Sequence, residues 1–516
     1  MNTDKDPNYT QSLLENKKDE EEKKLEEDEH YRLGGRGPLK TLLILTVGPL
    51  ISQLVSGLYG VITSMWISKA MGDKGMSAIS IYSNLDNIGR AFGFFMLTTA
   101  SSKISALFGE LKGEEAGQVI CDLIRVSILC GIFVPAVLTP ASKPLGRWFG
   151  AKEDIIDLGF QYLTPLNCFC FVTCIYLLMC GCLQAEGRSN LVAITQVCSL
   201  VANMGLFCPL FVVVFKWQTL GAAIATVVSE FIPGFLVLTL FFCGKFGVKP
   251  KLSGLFKKFS PHTLPALKVG ISQLIMNLSR SIPSIFLRKF MGLCAEKSPE
   301  GDFENAIAGF NAVTRIFGIT DSVRLAVSMG LLPAASYAFT SHRYLRIFHL
   351  IGHSCWLNLI WGVSTTLLTA FDAKLVAMSI SSSPEYLKYA TPMLRISNWE
   401  APFSWIRNVC QTILQALQYG TTATVYMLTA TFCTYIGALL LLYYTNDHDF
   451  IRMMYTFPIS SGLAVVVGMI IVIFPLRKIW KERDPNENAK GIESKNTLES
   501  NFVDVENRNE NEQNKV

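Results

Sequence analysis

From Leu463 to Phe474 the chain runs LAVVVGMIIVIF without a single charge, and ALLLLYY (Ala438–Tyr444) lies shortly upstream. Apolar stretches that extend to about 20 residues cross the ~30 Å hydrocarbon core of a bilayer as helices. Helices suit that setting because lipid offers backbone groups no partner and each helix satisfies its own. Such stretches recur along most of this chain, which makes it an all-α polytopic membrane protein. Charge is placed accordingly. Lys, Glu, Asp and Asn crowd residues 1–37 and 477–516. Only 17% of the 516 residues are charged, against about 25% in soluble domains. The first forty residues have no apolar centre of the secretory kind, so the first membrane helix is expected to direct insertion itself.

Breaking the apolar runs at Gly, Pro and charge clusters gives twelve segments, at 39–68, 77–108, 116–144, 157–184, 189–215, 219–243, 262–291, 304–338, 345–371, 386–417, 421–445 and 451–476. They are called spans 1 to 12. The most basic interior connection is GKFGVKPKLSGLFKKFSPH, with Lys245, Lys249, Lys251, Lys257 and Lys258. The positive-inside rule places it, and with an even span number both termini, in the cytoplasm. Five regions follow: a disordered tail at 1–37, an N-lobe at 38–243, a basic linker at 244–261, a C-lobe at 262–476 and a disordered tail at 477–516.

The two lobes read as copies of one design. ISQL occurs at Ile51–Leu54 and at Ile271–Leu274, and Lys69–Gly72 (KAMG) answers Lys289–Gly292 (KFMG), both offset by 220. Further on, LQA at Leu183–Ala185 answers LQA at Leu414–Ala416, offset by 231, and at that offset Ser105 matches Ser336 and Phe108 matches Phe339. The eleven extra residues fall in the connection between spans 7 and 8, which is longer than that between spans 1 and 2. With six spans in each copy, the repeats run parallel about an axis along the membrane normal, a plan found among secondary transporters.

The 14 cysteines mostly sit inside apolar runs such as NCFCFVTCIYLLMCGC (Asn167–Cys182), where they serve as small hydrophobes. No CxxC pair has a partner at zinc spacing, so neither a disulfide framework nor a metal site is expected.

GPLISQLVSGLYGVITSMWISKAMG (Gly48–Gly72) resembles the first helix of multidrug and toxic compound extrusion (MATE) transporters. LQAEGRSNLVAITQVCSLVANMGLF (Leu183–Phe207), TLGAAIATVVSE (Thr219–Glu230) and LQALQYG (Leu414–Gly420) resemble later parts of the same family, and the likeness extends over residues 38–476. The resemblance implies two six-helix lobes around a central cleft and export of amphipathic, often cationic compounds against H⁺ or Na⁺ entry. Pro49, Asn203 and Thr226 stand where the family has its proline, asparagine and threonine. The family's acids are replaced: Ser64 and Phe207 occupy two positions where many members carry Asp, and Arg280 is nearest to a third that is Glu in others.

Ionisable residues inside spans are costly to embed and are therefore candidates for function. Asp86 and Arg90 stand four apart in span 2, on one helix face, as an ion pair or a proton site. In span 8, the repeat mate of span 2, Asp321 and Arg324 stand three apart, with Arg315 upstream. Glu230 in span 6 has no basic residue nearby in sequence and lies beside Pro233, which suits proton exchange. Glu400 falls between Trp399 and Trp405, a combination suited to organic cations through charge and cation–π contact, or to anchoring at the interface. Gln53 and Gln273, the polar letters of the repeated ISQL, either bind substrate or join helices. Arg90, Arg125, Arg280, Arg315, Arg324 and Arg407 at least match the embedded acids in number, which keeps an anionic substrate open.

The expected function is a secondary antiporter that exports small organic, amphipathic and cationic compounds by alternating access. The alternatives are an organic-anion exporter or a lipid-linked precursor flippase of the same superfamily. No Ser/His pair, HExxH or paired-Asp motif argues for an enzyme, and no Walker sequence argues for ATP-driven pumping. The expected partners are the bilayer and small organic substrates, with H⁺ or Na⁺ as coupling ion, no further cofactor, no nucleic acid and a monomeric state. Plasma and organelle membranes remain equal alternatives.

Overall fold

The computed structural model describes residues 30–148, 153–295, 302–378, 383–445 and 449–483. Among these residues there are helices and no strand. Nine helices are long and apolar enough to cross a membrane, and Glu153–Cys168 with Cys170–Ala185, bent by 53° at Phe169, makes a tenth span. The two remaining spans are helical but more polar. Span 7 lies in Thr263–Ala295 and carries Lys268, Arg280, Arg288 and Lys289. Span 10 is broken into Pro384–Ser397, a 3₁₀ turn at Asn398–Glu400, and Ala401–Ala416. Twelve helices in two lobes result, and the polar pair face the interior site described below.

Helical hydrogen bonding is continuous from Pro38 to Gly109, through spans 1 and 2 and the connection expected between them. At about 1.5 Å per residue a straight helix of this length would far exceed the bilayer. It is not straight: the Arg90 guanidinium lies 5.9 Å from the Tyr59 ring centre, so the chain doubles back into two arms. Spans 5 and 11, which are repeat mates, both contain π-helical stretches, at Asn203–Phe207 with Pro209–Val214 and at Leu428–Cys433.

The duplication is visible bond for bond. Between spans 2 and 3, the N–H groups of Glu110, Leu111 and Lys112 donate to the carbonyls of Ala106, Phe108 and Leu107. At +231, those of Ser341, His342 and Arg343 donate to Tyr337, Phe339 and Ala338. Turns 185–189 and 416–420 share a second pattern of this kind. Each turn needs one residue in the left-handed region: Leu111 (φ 60°) and its mate His342 (φ 56°), Gly187 (φ 74°) and its mate Gln418 (φ 63°). A leucine is strained in that region, and Leu111 is 79% exposed, with little packing to lose. Leu111→Gly is expected to raise the unfolding free energy in detergent by roughly 0.5–1 kcal/mol. A loss of stability would mean that this turn is built differently.

The two lobes meet tightly at the end of the molecule that bears these turns. Gly109 abuts its own repeat mate Thr340, a contact that symmetry-related residues make only beside their axis. The Thr340 hydroxyl donates to the Ala106 carbonyl (2.8 Å), Ser102 lies 3.5 Å from Ser336, and Gln418 donates to Ser102 (2.8 Å).

Part of the first tail, expected to be disordered, and part of the basic linker are packed here. Residues 30–37, assigned above to the tail, include buried Arg32, Leu33 and Arg36. Arg32 donates to the Glu186 carbonyl of the N-lobe (2.7 Å), and Arg343 and Arg346 of the C-lobe donate to the carbonyls of Gly34, Leu33 and Arg36. The linker is held at Val248, whose N–H donates to the Glu186 carboxylate (2.9 Å), and at Ser260 and Thr263, which both donate to buried Asp122 (2.7 and 2.6 Å). The last helix continues past 476 to Glu482. The remaining parts of both tails lie outside the described residues.

Candidate functional site

Away from the turn end, a cavity of about 440 Å³ lies between the lobes. Both arms of Pro38–Gly109 line it, with Gln53 and Tyr59 from the first and Asp86 and Arg90 from the second. Thr226 of span 6 adds to this N-lobe wall, and Asn277 and Arg280 of span 7 form the C-lobe wall.

The N-lobe wall is backed by a charge network. Arg90 lies 3.4 Å from Asp86, as the four-residue spacing predicts, and 3.0 Å from Glu230. Glu230, which has no basic neighbour in sequence, finds its basic partner on span 2, 140 residues away, where a local reading does not look. Thr173 of span 4 donates to the other Glu230 oxygen (2.6 Å). Behind it, the Tyr59 hydroxyl bridges Ser199 (2.6 Å) and Ser229 (3.2 Å), and the Asn203 amide donates to Ser229 (3.4 Å). Asn203 is fully buried and lines no part of this cavity. Thr226 donates back to the Ala222 carbonyl, which bends or loosens a helix locally. The Ser64 side chain lies outside the described residues. Phe207, where the family resemblance leads one to look for an acid, stacks on Phe211.

The C-lobe holds a second network in equivalent positions with the charges redistributed. Asp321 stands at the repeat position of Arg90, Ser404 at that of Thr173 and Ser461 at that of Glu230, all offset by 231. Arg324, 1% exposed, pairs with Asp321 (2.6 Å) and bonds the Ser404 hydroxyl. Glu400 accepts from Ser461 (2.6 Å) inside this network. The two tryptophans beside Glu400 in sequence part in space: Trp399 is 63% exposed, while Trp405 is buried with its indole N–H on the Pro402 carbonyl. The 3₁₀ turn at Asn398–Glu400 rotates neighbouring side chains apart, so adjacency in sequence does not become contact here.

Arg280 donates to the Asn408 amide oxygen (3.2 Å) and makes no ion pair among the described residues. Gln53 and Gln273 converge near Met329. Gln53 donates to its sulfur (3.6 Å), while Gln273 accepts from Gln411 (3.3 Å) in a small pocket that Met329 also lines. Helix joining thus accounts for much of their polarity, although Gln53 also faces the cavity. Sequence reading missed Tyr59, Thr173, Asn277, Asn408 and Ser461. Extending the +231 offset into spans 4 and 6 pairs Thr173 with Ser404 and Glu230 with Ser461, and would have flagged three of the network's members.

Comparison with known proteins agrees with this architecture. The Multidrug export protein MepA of Staphylococcus haemolyticus is 21% identical over 400 residues, 75% of this chain and 83% of that protein. The protein of the same name from Staphylococcus saprophyticus is 21% identical over 411 residues, 78% and 86% of the two chains. Among solved structures, a MOP superfamily transporter from Pyrococcus furiosus, described by the reversed polarity of its binding pocket, matches with TM-score 0.79 at 18% identity. That match covers 87% of this chain and 98% of the other. An outward-facing multidrug resistance MATE family transporter matches with TM-score 0.77 at 19% identity, over 87% and 98% of the two chains. The family model described as MatE matches residues 50–208 and 304–440, one stretch in each lobe. With more than half of its length matched in this way, the chain belongs to the MatE family of membrane transporters.

Proposed function

We propose that the protein is a secondary antiporter that exports small organic compounds through the interlobe cavity in exchange for H⁺ or Na⁺. The observation that carries this reading is the pairing of a cavity between two lobes, tightly joined at one end, with an N-lobe wall where two carboxylates share one guanidinium. Embedded charge is tolerated when it is paired, and here one carboxylate's worth of negative charge is left over. A proton or Na⁺ at Asp86 or Glu230 neutralises that excess. A positively charged part of a substrate does the same, so ion and substrate compete for one site. Competition of this kind is a coupling free energy, and it makes entry of one favour release of the other.

Alternating access follows if the lobes rock against each other, so that the contact at Gly109 and Thr340 parts and the turn end opens as the far end closes. The basic linker supports a cytoplasmic turn end, with both termini on that side. The protein acts as a monomer in this scheme, since each chain contains both walls of the cavity.

The reading is tested by locking the joined end. Ser102 and Ser336, whose hydroxyls lie 3.5 Å apart, are replaced by cysteine in a background without other reactive thiols. Export of a fluorescent organic compound from proteoliposomes should stop on oxidation and return on reduction. Full-rate turnover with the cross-link formed would rule out opening at this end.

A further inference from the structure

The two walls of the cavity carry opposite excess charge. On the N-lobe wall, Asp86 and Glu230 face one cation, Arg90, and Asp86 lines the cavity. Around Arg280 the balance is reversed. The charges that act on it most strongly among the described residues are Asp321, Arg407, Arg324 and Glu400, so with Arg280 itself three guanidinia face two carboxylates. Asp321 is already committed to Arg324 at 2.6 Å, and Glu400 to the Ser461 hydroxyl. Among the described residues, Arg280 therefore lines the cavity with an amide as its only polar partner.

One helical turn before Arg280, Asn277 lines the same cavity, and its buried side-chain NH₂ has no hydrogen-bond acceptor among the described residues. A buried amide donor left unmatched is costly, so this one suits a bound acceptor. Arg280 and Asn277 together present guanidinium and amide N–H groups, the donor set that receives a carboxylate or similar oxyanion. Unlike charges on opposite walls, without an ion pair between them, are complementary to a molecule that carries both signs.

Building on the antiport reading above, we infer that the substrate is zwitterionic, with its cationic group at Asp86 and its anionic group at Arg280 and Asn277. The cationic group is then the part that competes with the coupling ion, and the anionic group sets selectivity. A purely cationic compound leaves Arg280 and Asn277 unsatisfied. A purely anionic one leaves the N-lobe excess uncompensated.

Three compounds on one indole scaffold test this: tryptamine as cation, indole-3-propionate as anion and tryptophan as zwitterion. Radiolabelled flux of each is measured in proteoliposomes under imposed H⁺ and Na⁺ gradients. Tryptophan should be moved at least about tenfold more efficiently than either relative, the equivalent of one charge-assisted contact. Arg280→Gln should remove that advantage over tryptamine, and Arg280→Lys should retain most of it. Asp86→Asn should remove the advantage over indole-3-propionate. Tryptamine favoured over tryptophan, or an equal loss for all three in Arg280→Gln, would overturn the zwitterion assignment and leave antiport standing. Failure of all three to move under either gradient would overturn the antiport reading, and this inference with it.

Discussion

Replacing Arg90 with alanine is expected to lower the unfolding free energy by about 3–5 kcal/mol, the loss typical of a buried ion pair deprived of one partner. The effect arises because Glu230 is 1% exposed and, among the described residues, would keep only the Thr173 hydroxyl as a donor. The same substitution leaves Asp86 without its partner. Glu230→Gln in the Arg90→Ala background should recover a sizeable share, because it removes the carboxylate that the first change stranded. Thermal unfolding in detergent reads both variants. An Arg90→Ala protein with wild-type stability would mean that Arg90 does not hold the two carboxylates together.

The second large effect concerns the duplicated helix crossings. A Cβ on Gly48 would come within 2.5 Å of the Ser189 carbonyl oxygen, and one on Gly420 within 2.5 Å of the Lys268 backbone. These are the same crossing in the two lobes, because Lys268 is the repeat mate of Gly48 at +220 and Gly420 that of Ser189 at +231. Small residues let membrane helices approach this closely. Gly48→Val and Gly420→Val must each push two helices apart, and each is expected to cost roughly 1–3 kcal/mol or more. The Gly48 change also disturbs the bond from its N–H to the Ser189 hydroxyl (2.8 Å). Comparable losses of folded yield in the two variants fit one design used twice. Tolerance in one lobe alone would show that the copies have diverged at this crossing.

Much of the fold was legible in the sequence because lipid forces a simple code. Long apolar runs become helices, the offset of 231 that linked the LQA motifs reappears as matching turns with matching left-handed residues, and the offset of 220 that linked ISQL and KxMG reappears in the helix crossings at Gly48 and at its mate Lys268. Spans 7 and 10 were legible as segments despite their charges. The packing of residues 30–37 was not, because they read as polar tail until Arg32, Arg343 and Arg346 find backbone carbonyls on other elements. The candidate site was legible only within single helices. Asp86 with Arg90 and Asp321 with Arg324 follow from helical spacing. The bond from Arg90 to Glu230 depends on how spans 2 and 6 pack. Glu400 misled for the opposite reason: its aromatic neighbours in sequence point elsewhere in space.

Coupling at the N-lobe wall is the central claim, and gradient-driven flux tests it most directly. Proteoliposomes holding the wild-type protein, Asp86→Asn or Glu230→Gln are loaded with one transported compound, and its exit is followed after an inward H⁺ or Na⁺ gradient is imposed. The wild-type protein should release its load faster with one of the two gradients than without either. At least one of the two variants should lose that acceleration while still exchanging the compound across the membrane. Acceleration unchanged in both variants, or wild-type release indifferent to both gradients, would contradict coupling at Asp86 and Glu230.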